Sequence, residues 1–187
     1  FKYIINTMFN QTQDGGVKIA ATEKYGVYIR SILQMKIALS ITEIGRNVTQ
    51  NLENMIRMKT EGKCIAEGFI RPNSVRVLTY SSGLIKDDHV EFCTTYECMV
   101  CYPVKDMMVS CTVSEVTKAG IHAYVKDVDS DNVPITVFVA RDHHSTSKYF
   151  NSIKENALID ARIIGVRFEL NDPSITTIAA IVEPREA

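Results

Sequence analysis

Residues 107–125 read MMVSCTVSEVTKAGIHAYV, and this stretch decides the fold of the carboxy-terminal half of the chain. Apolar and polar residues alternate over residues 107–116 and again over 121–125, which is the period of a half-buried β-strand. The turn between the two segments contains Gly120, and glycine favours a tight hairpin connection. The stretch therefore predicts a β-hairpin.

Three more strand-like segments follow the hairpin, at residues 133–140, 158–168 and 175–182. Five short strands, with a hairpin first and a longer excursion after the third strand, outline a small oligonucleotide/oligosaccharide-binding (OB) barrel. Such barrels hold single-stranded nucleic acid on an outer face through stacking and charge. We therefore expect a binding module in this half.

A helix is the clearest element of the amino-terminal half. Apolar residues recur every three or four positions over residues 41–58, which places them on one face. Ser40 and Glu43 have the spacing of a capping box, in which each side chain satisfies a free backbone N–H at the helix start. The opposite face is polar, and we expect it to be solvated or to contact another protein chain.

Alternating apolar residues indicate the other strands of this half. They are predicted at residues 64–70, 75–80 and 90–100. In the last strand, every second residue from Val90 to Val100 is expected on one face. Residues 2–9 could form a strand, and residues 11–16 a polar turn or loop. Residues 20–36 are left open between strand and helix. The predicted fold class is α+β: a helix packed on a small antiparallel sheet in residues 1–104, then an S1-type OB barrel in residues 105–187.

Composition bounds the class of protein. The chain has 187 residues, 45% of them hydrophobic and 23% charged, which is typical of a globular protein with one domain or two small ones. Its net charge of −1 provides no global basic field, so RNA binding would need a local patch or a larger assembly. Five cysteines, an odd number, favour free buried thiols in a reducing intracellular compartment. No apolar run approaches the roughly 20 residues of a membrane span, and no signal peptide is evident.

Two clusters suggest metal chemistry, and both have simpler interpretations. Cys93, Cys98 and Cys101 have spacings found in iron–sulfur loops, but they lie in a predicted strand, which sends Cys98 and Cys101 to opposite faces. His143 and His144 are adjacent and lack the context of a zinc-binding motif. We therefore expect structural thiols, no metal and no cofactor, and no catalytic residues.

The outer face of the predicted barrel is the candidate RNA-binding site. If Ile121, Ala123 and Val125 point inward, His122 and Tyr124 lie outside, and the same alternation on the next strand places Phe138 outside. Exposed rings offer stacking surfaces worth roughly 1–3 kcal/mol per base. The other candidate contacts to RNA are Lys118, Arg141, Arg162 or Arg167, and His143 in a loop at the barrel rim.

The order of several short motifs resembles a known family. The motifs are Glu61-Gly62-Lys63-Cys64, Gly68-Phe69-Ile70, Gly83-Leu84-Ile85, Tyr102-Pro103-Val104-Lys105, residues 113–121 and residues 163–172. In order and spacing they are similar to the seventh subunit of eukaryotic RNA polymerase II and to its counterpart in archaeal RNA polymerase. The versions encoded by large cytoplasmic DNA viruses are the most similar. The resemblance covers residues 40–183.

The resemblance implies a role without catalysis. Members of that family have an N-terminal tip domain and an S1-type barrel, pair with a fourth subunit, and form a stalk beside the RNA exit channel. The resemblance implies that Ser82, Gly83, Leu84 and Ile85 dock on the polymerase core near the clamp, and that the barrel guides nascent RNA. Asp106 departs from the family, which has Gly there, and His122 replaces the aromatic residue common in S1 barrels.

Two other classes of function fit parts of the chain. A free-standing S1-type RNA-binding protein of translation or RNA decay would bind RNA alone, whereas a stalk subunit would copurify with large polymerase chains. A metal-dependent hydrolase would use His143, His144 and cysteines, and metal analysis of the purified protein would reveal it. If the protein is viral, the expected locations are the virion and the host cytoplasm or nucleus.

Overall fold

The computed structural model describes residues 26–45, 47–127, 131–144 and 148–183. The segments predicted at residues 2–9 and 11–16 lie outside these ranges. The described residues are mostly β, with eleven strands and two helices. Residues 28–36, part of the stretch left ambiguous between strand and helix, belong to a strand.

Six strands form one sheet in the amino-terminal half. They are β1 (Tyr28–Ser40), β2 (Cys64–Ile65), β3 (Gly68–Ile70), β4 (Arg76–Tyr80), β5 (Leu84–Lys86) and β6 (His89–Cys101). The two long strands pair antiparallel along their whole length, from Tyr28 opposite Cys101 to Ser40 opposite His89. On its other edge β6 pairs in turn with β3, β4 and β5, so β6 is the central strand.

The predicted face of β6 is confirmed. Its alternate residues from Val90 to Val100 are all buried, and they pack with residues of β1, β4 and the helix in one hydrophobic cluster. Leu52 and Ile56 are the fully buried side chains that the helix contributes to this cluster. One face of the sheet is therefore covered by the helix.

The helix begins later than the sequence predicts. A short 3₁₀ turn, in which the N–H of Ser40 donates to the Glu43 carboxylate at 2.9 Å, is followed by Gly45. The helix α1 then spans Val48–Thr60. The turn ends at Glu43, because Ile44 is extended with φ −88° and ψ 93°, and Gly45 beside it is a poor helix former. As a result Ile41, expected on the buried face, is 56% exposed.

Two residues of the polar face of α1, Glu53 and Arg57, hold strand β4 instead of facing solvent or another chain, whereas Gln50 of the same face is exposed as expected. Glu53 accepts the N–H of Val77 at 3.1 Å and pairs with Arg57 at 2.7 Å. Arg57 donates to the carbonyl of Val75 at 3.2 Å, and Glu61 accepts the N–H of the same residue at 2.9 Å. These side chains satisfy backbone groups where β4 begins, so they serve the fold.

The single strand predicted at residues 64–70 is wrong, because this stretch is a hairpin formed by β2 and β3. Gly68 opens β3 with φ 126°, a conformation that L side chains rarely adopt. A Cβ there would lie 2.4 Å from the carbonyl oxygen of Cys101. The strand can therefore approach β6 only because residue 68 is glycine.

The carboxy-terminal half is a closed barrel of five strands, as predicted. They are β7 (Met108–Val116), β8 (Gly120–Val125), β9 (Ile135–Ala140), β10 (Leu158–Arg167) and β11 (Ile175–Ile181). The order around the barrel is β7-β8-β9-β11-β10 and back to β7, with β9 and β11 parallel and the other pairs antiparallel. A short helix, α2 (Lys148–Ser152), lies in the excursion between β9 and β10. This arrangement is consistent with an OB fold.

The faces of the barrel strands agree with the alternation in the sequence. Ile121, Ala123 and Val125 of β8 are buried, as are the alternate residues of β9 from Ile135 to Val139. The residues between them lie on the outer surface. The inward and outward assignments made for these two strands are confirmed.

The barrel and the sheet meet through a buried ion pair. Arg71, which follows β3, donates two hydrogen bonds to Asp127, which follows β8, at 2.7 and 3.0 Å. The guanidinium also lies over the ring of Tyr28, 5.3 Å from its centroid. Only 4% of the Asp127 side chain is exposed, so Arg71 supplies a positive charge beside a buried carboxylate.

Backbone contacts reinforce this junction. The N–H of Cys64 donates to the carbonyl of Asp172 at 2.8 Å, and the N–H of Asn171 donates to the carbonyl of Cys64 at 2.8 Å. In the connection between β6 and β7, Asp106 has φ 67°, the left-handed region that favours glycine and that Asp tolerates better than most residues. Asp106, the residue at which the resemblance predicts Gly, thus has a glycine-like conformation.

None of the helices in the described part of the chain is long and apolar enough to cross a membrane.

Candidate nucleic-acid interface

A groove runs across the outer face of β8, β9, β10 and β11. Its volume is about 980 Å³, and its lining is mostly apolar. Four of the residues proposed from the sequence line it: His122, Tyr124, Phe138 and Arg167. The fold therefore brings together side chains that are up to 45 positions apart in the sequence, the distance from His122 to Arg167.

Two of the predicted rings form a pair. His122 and Phe138 lie opposite each other on β8 and β9, with ring centroids 4.9 Å apart and planes inclined by 47°. His122 is exposed, and Phe138 and Tyr124 are half-buried, so ring surface remains accessible. The two rings are tilted rather than coplanar, and we refer to the pair as the ring platform.

Gly120 supports the ring platform from the start of β8. A Cβ at this position would lie 2.2 Å from the carbonyl oxygen of Val139 and 3.0 Å from the ring of Phe138. The ring therefore rests against the backbone of Gly120. Any side chain at residue 120 would displace either the ring or strand β9.

Other residues of the groove were not singled out from the sequence. They are Ser114, Ala119, Val133, Thr136, Gly165, Val166, Thr176 and Ile178. Ala123 and Val137, which were expected to point inward, also line the groove. Alternation on β11 could have placed Thr176 and Ile178 outside, next to each other on one face. Gly165 follows a register shift in β10, after Ile163, which alternation alone does not predict.

The candidate cations differ in how available they are. Arg167 has an 84% exposed side chain and lies 3.3 Å from Glu169, so it remains accessible at the groove. Lys118 is exposed in the hairpin between β7 and β8, outside the lining of the groove. Arg162 is exposed on β10 but does not line the groove either. The positive charge beside the rings is therefore modest.

Arg141 is engaged within the fold. Its guanidinium donates to the carbonyls of Lys118 and Thr117 at 2.9 and 3.2 Å and to the Asn151 side chain at 3.1 Å. It also lies over the ring of Phe150, 5.1 Å from the centroid. These contacts tie the β7–β8 hairpin to the excursion between β9 and β10.

His143 and His144 have different surroundings. His143 is exposed in a 3₁₀ turn after β9. His144 stacks on Phe150, with centroids 5.4 Å apart and planes inclined by 11°, and its Nε2 accepts the N–H of Ile181 at 3.1 Å. Burial, and secondarily the neighbouring His143, lower the pKa of His144 below its usual value of 6.5, while Glu183 opposes this shift. The ring is therefore held neutral.

A pH dependence of stability follows for His144. The unfolded chain takes up the proton more readily, so we expect full stability above about pH 6.5 and a loss as pH falls from there toward the lowered pKa. His144→Gln, which removes the titration, should flatten this part of the pH profile in urea unfolding. The exposed neighbour provides the control, His143→Gln, which should keep most of the slope. An unchanged slope in His144→Gln would contradict the assignment.

The segment proposed for docking lies at the opposite end of β6 from the barrel. Ser82, Gly83, Leu84 and Ile85 precede and enter β5, whose residues pair with the first residues of β6. Leu84 and Ile85 are 59% and 75% exposed. Gly83 is different, because a Cβ there would lie 2.4 Å from Cγ1 of Val90 inside the sheet.

The cysteines behave as thiols of the core, with one exception. Cys98 lies in the cluster under α1 and Cys101 in the cluster of the barrel, which confirms that they occupy opposite faces. Burial raises the pKa of Cys64 to about 11 and the pKa values of Cys98, Cys101 and Cys111 to about 12. Cys93, expected to be buried, is exposed. Within the described ranges, no group of three or more His, Cys, Asp or Glu side chains is placed to hold a metal ion.

The chain is similar to a polymerase subunit of a giant virus. It is 23% identical over 173 residues to a protein of Acanthamoeba polyphaga mimivirus that is named as a DNA-directed RNA polymerase subunit. The match covers 84% of this chain and 83% of the mimivirus protein. No family model matches the chain. The similarity extends through both halves of the chain rather than through the barrel alone, because the barrel is less than half of it.

Proposed function

We propose that the chain is a non-catalytic subunit of a multisubunit DNA-directed RNA polymerase of the seventh-subunit family, in a viral version. Residues 1–104 form the tip domain that docks on the core near the clamp. Residues 105–187 form the S1-type barrel that contacts nascent RNA, and a fourth-subunit-like chain is the partner in the stalk. The observation that carries the proposal is similarity to a polymerase subunit along 84% of the chain.

The distal end of the sheet supports the docking role. Leu84, Ile85 and Ile41 are more than half exposed, and Tyr80 is 41% exposed. Strand pairing brings these residues to the same end of the sheet, since Ser40 and Lys86 both pair with His89 at the start of β6. Apolar side chains grouped in this way are typical of a surface that a protein partner covers.

Copurification tests the docking role. A tagged chain that carries Leu84→Asp and Ile85→Asp should recover at least about tenfold less of the large polymerase chains, because the charges would be buried against the core. The control is Ile32→Asp, since Ile32 is 64% exposed on β1, away from this end. Gly83 is left unchanged because its substitution would disturb the sheet itself.

The controls make the outcomes distinct. Equal recovery from the tip variant and from wild type would contradict docking through this end. Absence of polymerase chains from the wild-type purification, with RNA bound by the chain alone at physiological salt, would favour the free-standing RNA-binding protein instead. Circular dichroism of each variant verifies that the sheet is intact.

The groove supports the RNA contact. His122, Tyr124 and Phe138 present accessible ring surface within one groove, and Arg167 adds a cation at its edge. In the assembled polymerase, His122→Ala with Tyr124→Ala should lower crosslinking of the transcript to this chain by about fivefold or more, since stacking is worth roughly 1–3 kcal/mol per base. Assembly should be unaffected. Undiminished crosslinking would reject this face as the contact.

A further inference from the structure

We infer that Gly165 sets the width of the groove, and that the groove takes an unpaired nucleobase of single-stranded RNA. Residue 165 would then determine whether RNA can bind, although it makes no polar contact itself. This inference rests on the proposed RNA contact and adds both the chemical group that is bound and the residue that admits it.

Gly165 is placed to act as the width-determining residue. It lies in β10 just after the register shift and pairs with Ile178 of β11, and both residues line the groove. A Cβ built at Gly165 meets nothing within 4 Å, so it would project into open space. A larger side chain there would occupy the groove without displacing any part of the fold.

The composition of the groove favours binding of a nucleobase over binding of a phosphate group. Its lining is mostly apolar, and the tilted rings of His122 and Phe138 each offer a face on which a base can stack. Arg167 is the charged residue of the lining, and it already has Glu169 beside it. A phosphate would find one cation that is partly neutralised, whereas a base would find rings and aliphatic side chains.

Salt dependence distinguishes the two modes of binding. Each phosphate contacted on a single strand contributes about −0.7 to the slope of log K against log salt concentration. With Arg167 in the lining and Lys118 exposed in the nearby β7–β8 hairpin as the two candidate cations, we expect a slope of about −1 to −2. A backbone-binding groove with many cations would give a much steeper slope.

The experiment is a size series at residue 165 in the full chain. The probe is a fluorescein-labelled oligouridylate of about 12 nucleotides, with binding followed by anisotropy at low salt. Gly165→Ala should have a small effect, whereas Gly165→Leu and Gly165→Trp should weaken binding by about tenfold or more, since they occupy the volume of the base. Thermal unfolding should be unchanged throughout the series.

Ile164 provides the matched control, because it is 39% exposed in the same irregular part of β10 and does not line the groove. Ile164→Trp should bind the probe within about twofold of wild type. Wild-type-like binding by Gly165→Trp would overturn the inference, as would a salt slope steeper than about −4 or no binding by wild type. Copurification of Gly165→Leu with polymerase chains is measured in parallel. If polymerase chains copurify but RNA binding is unchanged by the substitution, the inference about Gly165 fails; if they do not copurify even with wild type, the proposed function fails.

Discussion

Arg71→Met is expected to lower the free energy of unfolding by about 3 kcal/mol, because it removes the guanidinium that donates two hydrogen bonds to a buried carboxylate. Asp127 has only 4% of its side chain exposed and receives two hydrogen bonds from Arg71. Methionine keeps much of the length of the arginine side chain, so packing changes little. Urea unfolding at neutral pH measures the effect.

A second substitution and a matched control identify the cause. Adding Asp127→Asn to Arg71→Met should recover much of the loss, since the buried charge is then removed. Arg30 forms the comparison, because it pairs with Glu97 on the surface of the sheet with 71% of its side chain exposed. Arg30→Met should cost well under 1 kcal/mol. Equal costs for Arg71→Met and Arg30→Met would contradict a buried junction.

Gly120→Ala should destabilise the barrel by about 3 kcal/mol or more, since the added methyl group cannot be accommodated without a shift of the backbone. A Cβ at this residue would lie 2.2 Å from the carbonyl oxygen of Val139. Either β8 moves away from β9, which weakens their pairing, or the ring of Phe138 leaves its place. Urea unfolding should therefore show the loss, and the RNA probe should bind less tightly.

Gly165→Ala is the control in the same barrel, because nothing lies within 4 Å of a Cβ there. We expect its stability to stay within about 0.5 kcal/mol of wild type. If Gly120→Ala destabilised the barrel as little as Gly165→Ala does, the crowding at Gly120 would be relieved by movement of its neighbours, which would contradict the prediction. The two glycines thus serve opposite purposes, one permitting close packing and the other leaving room.

The sequence predicts the strands well because their pattern has a short period and needs only local information. The alternate residues of β6 from Val90 to Val100 and those of β8 and β9 all fall on the expected face. The outward positions of His122, Tyr124 and Phe138 follow directly from that alternation. The local pattern of alternation is therefore enough to predict that the rings of the candidate site lie on the outer surface.

Features that depend on contacts between distant segments were not predictable in this way. Glu53 and Arg57 resemble surface residues of a helix, and only the position of β4 makes them backbone partners. Arg141 resembles a phosphate ligand in sequence, whereas in the fold it joins the hairpin at Thr117 to Asn151. Gly165 became visible as part of the groove only once β10 and β11 were paired.

The helix start shows a different limit. Ser40 and Glu43 form the predicted capping contact, but the turn ends at Glu43, Ile44 is extended, and Gly45 disfavours a helix. Two local signals conflict there, and the rule for capping says nothing about which prevails. Tertiary contacts of α1 with the sheet decide that the helix runs over Val48–Thr60.

The central strand β6 has a mechanical consequence. Its 13 residues span roughly 40 Å, from the exposed apolar end at His89 to Cys101 beside the barrel. Because β3 pairs with the end of β6, and the ion pair of Arg71 and Asp127 joins the residue after β3 to the barrel, we expect the barrel and β6 to move together. A tilt of about ten degrees at the anchored end would sweep the far end through roughly 7 Å, more than the roughly 4.8 Å between neighbouring strands of a sheet. A small rotation at one end of β6 would then produce a larger displacement at the other end.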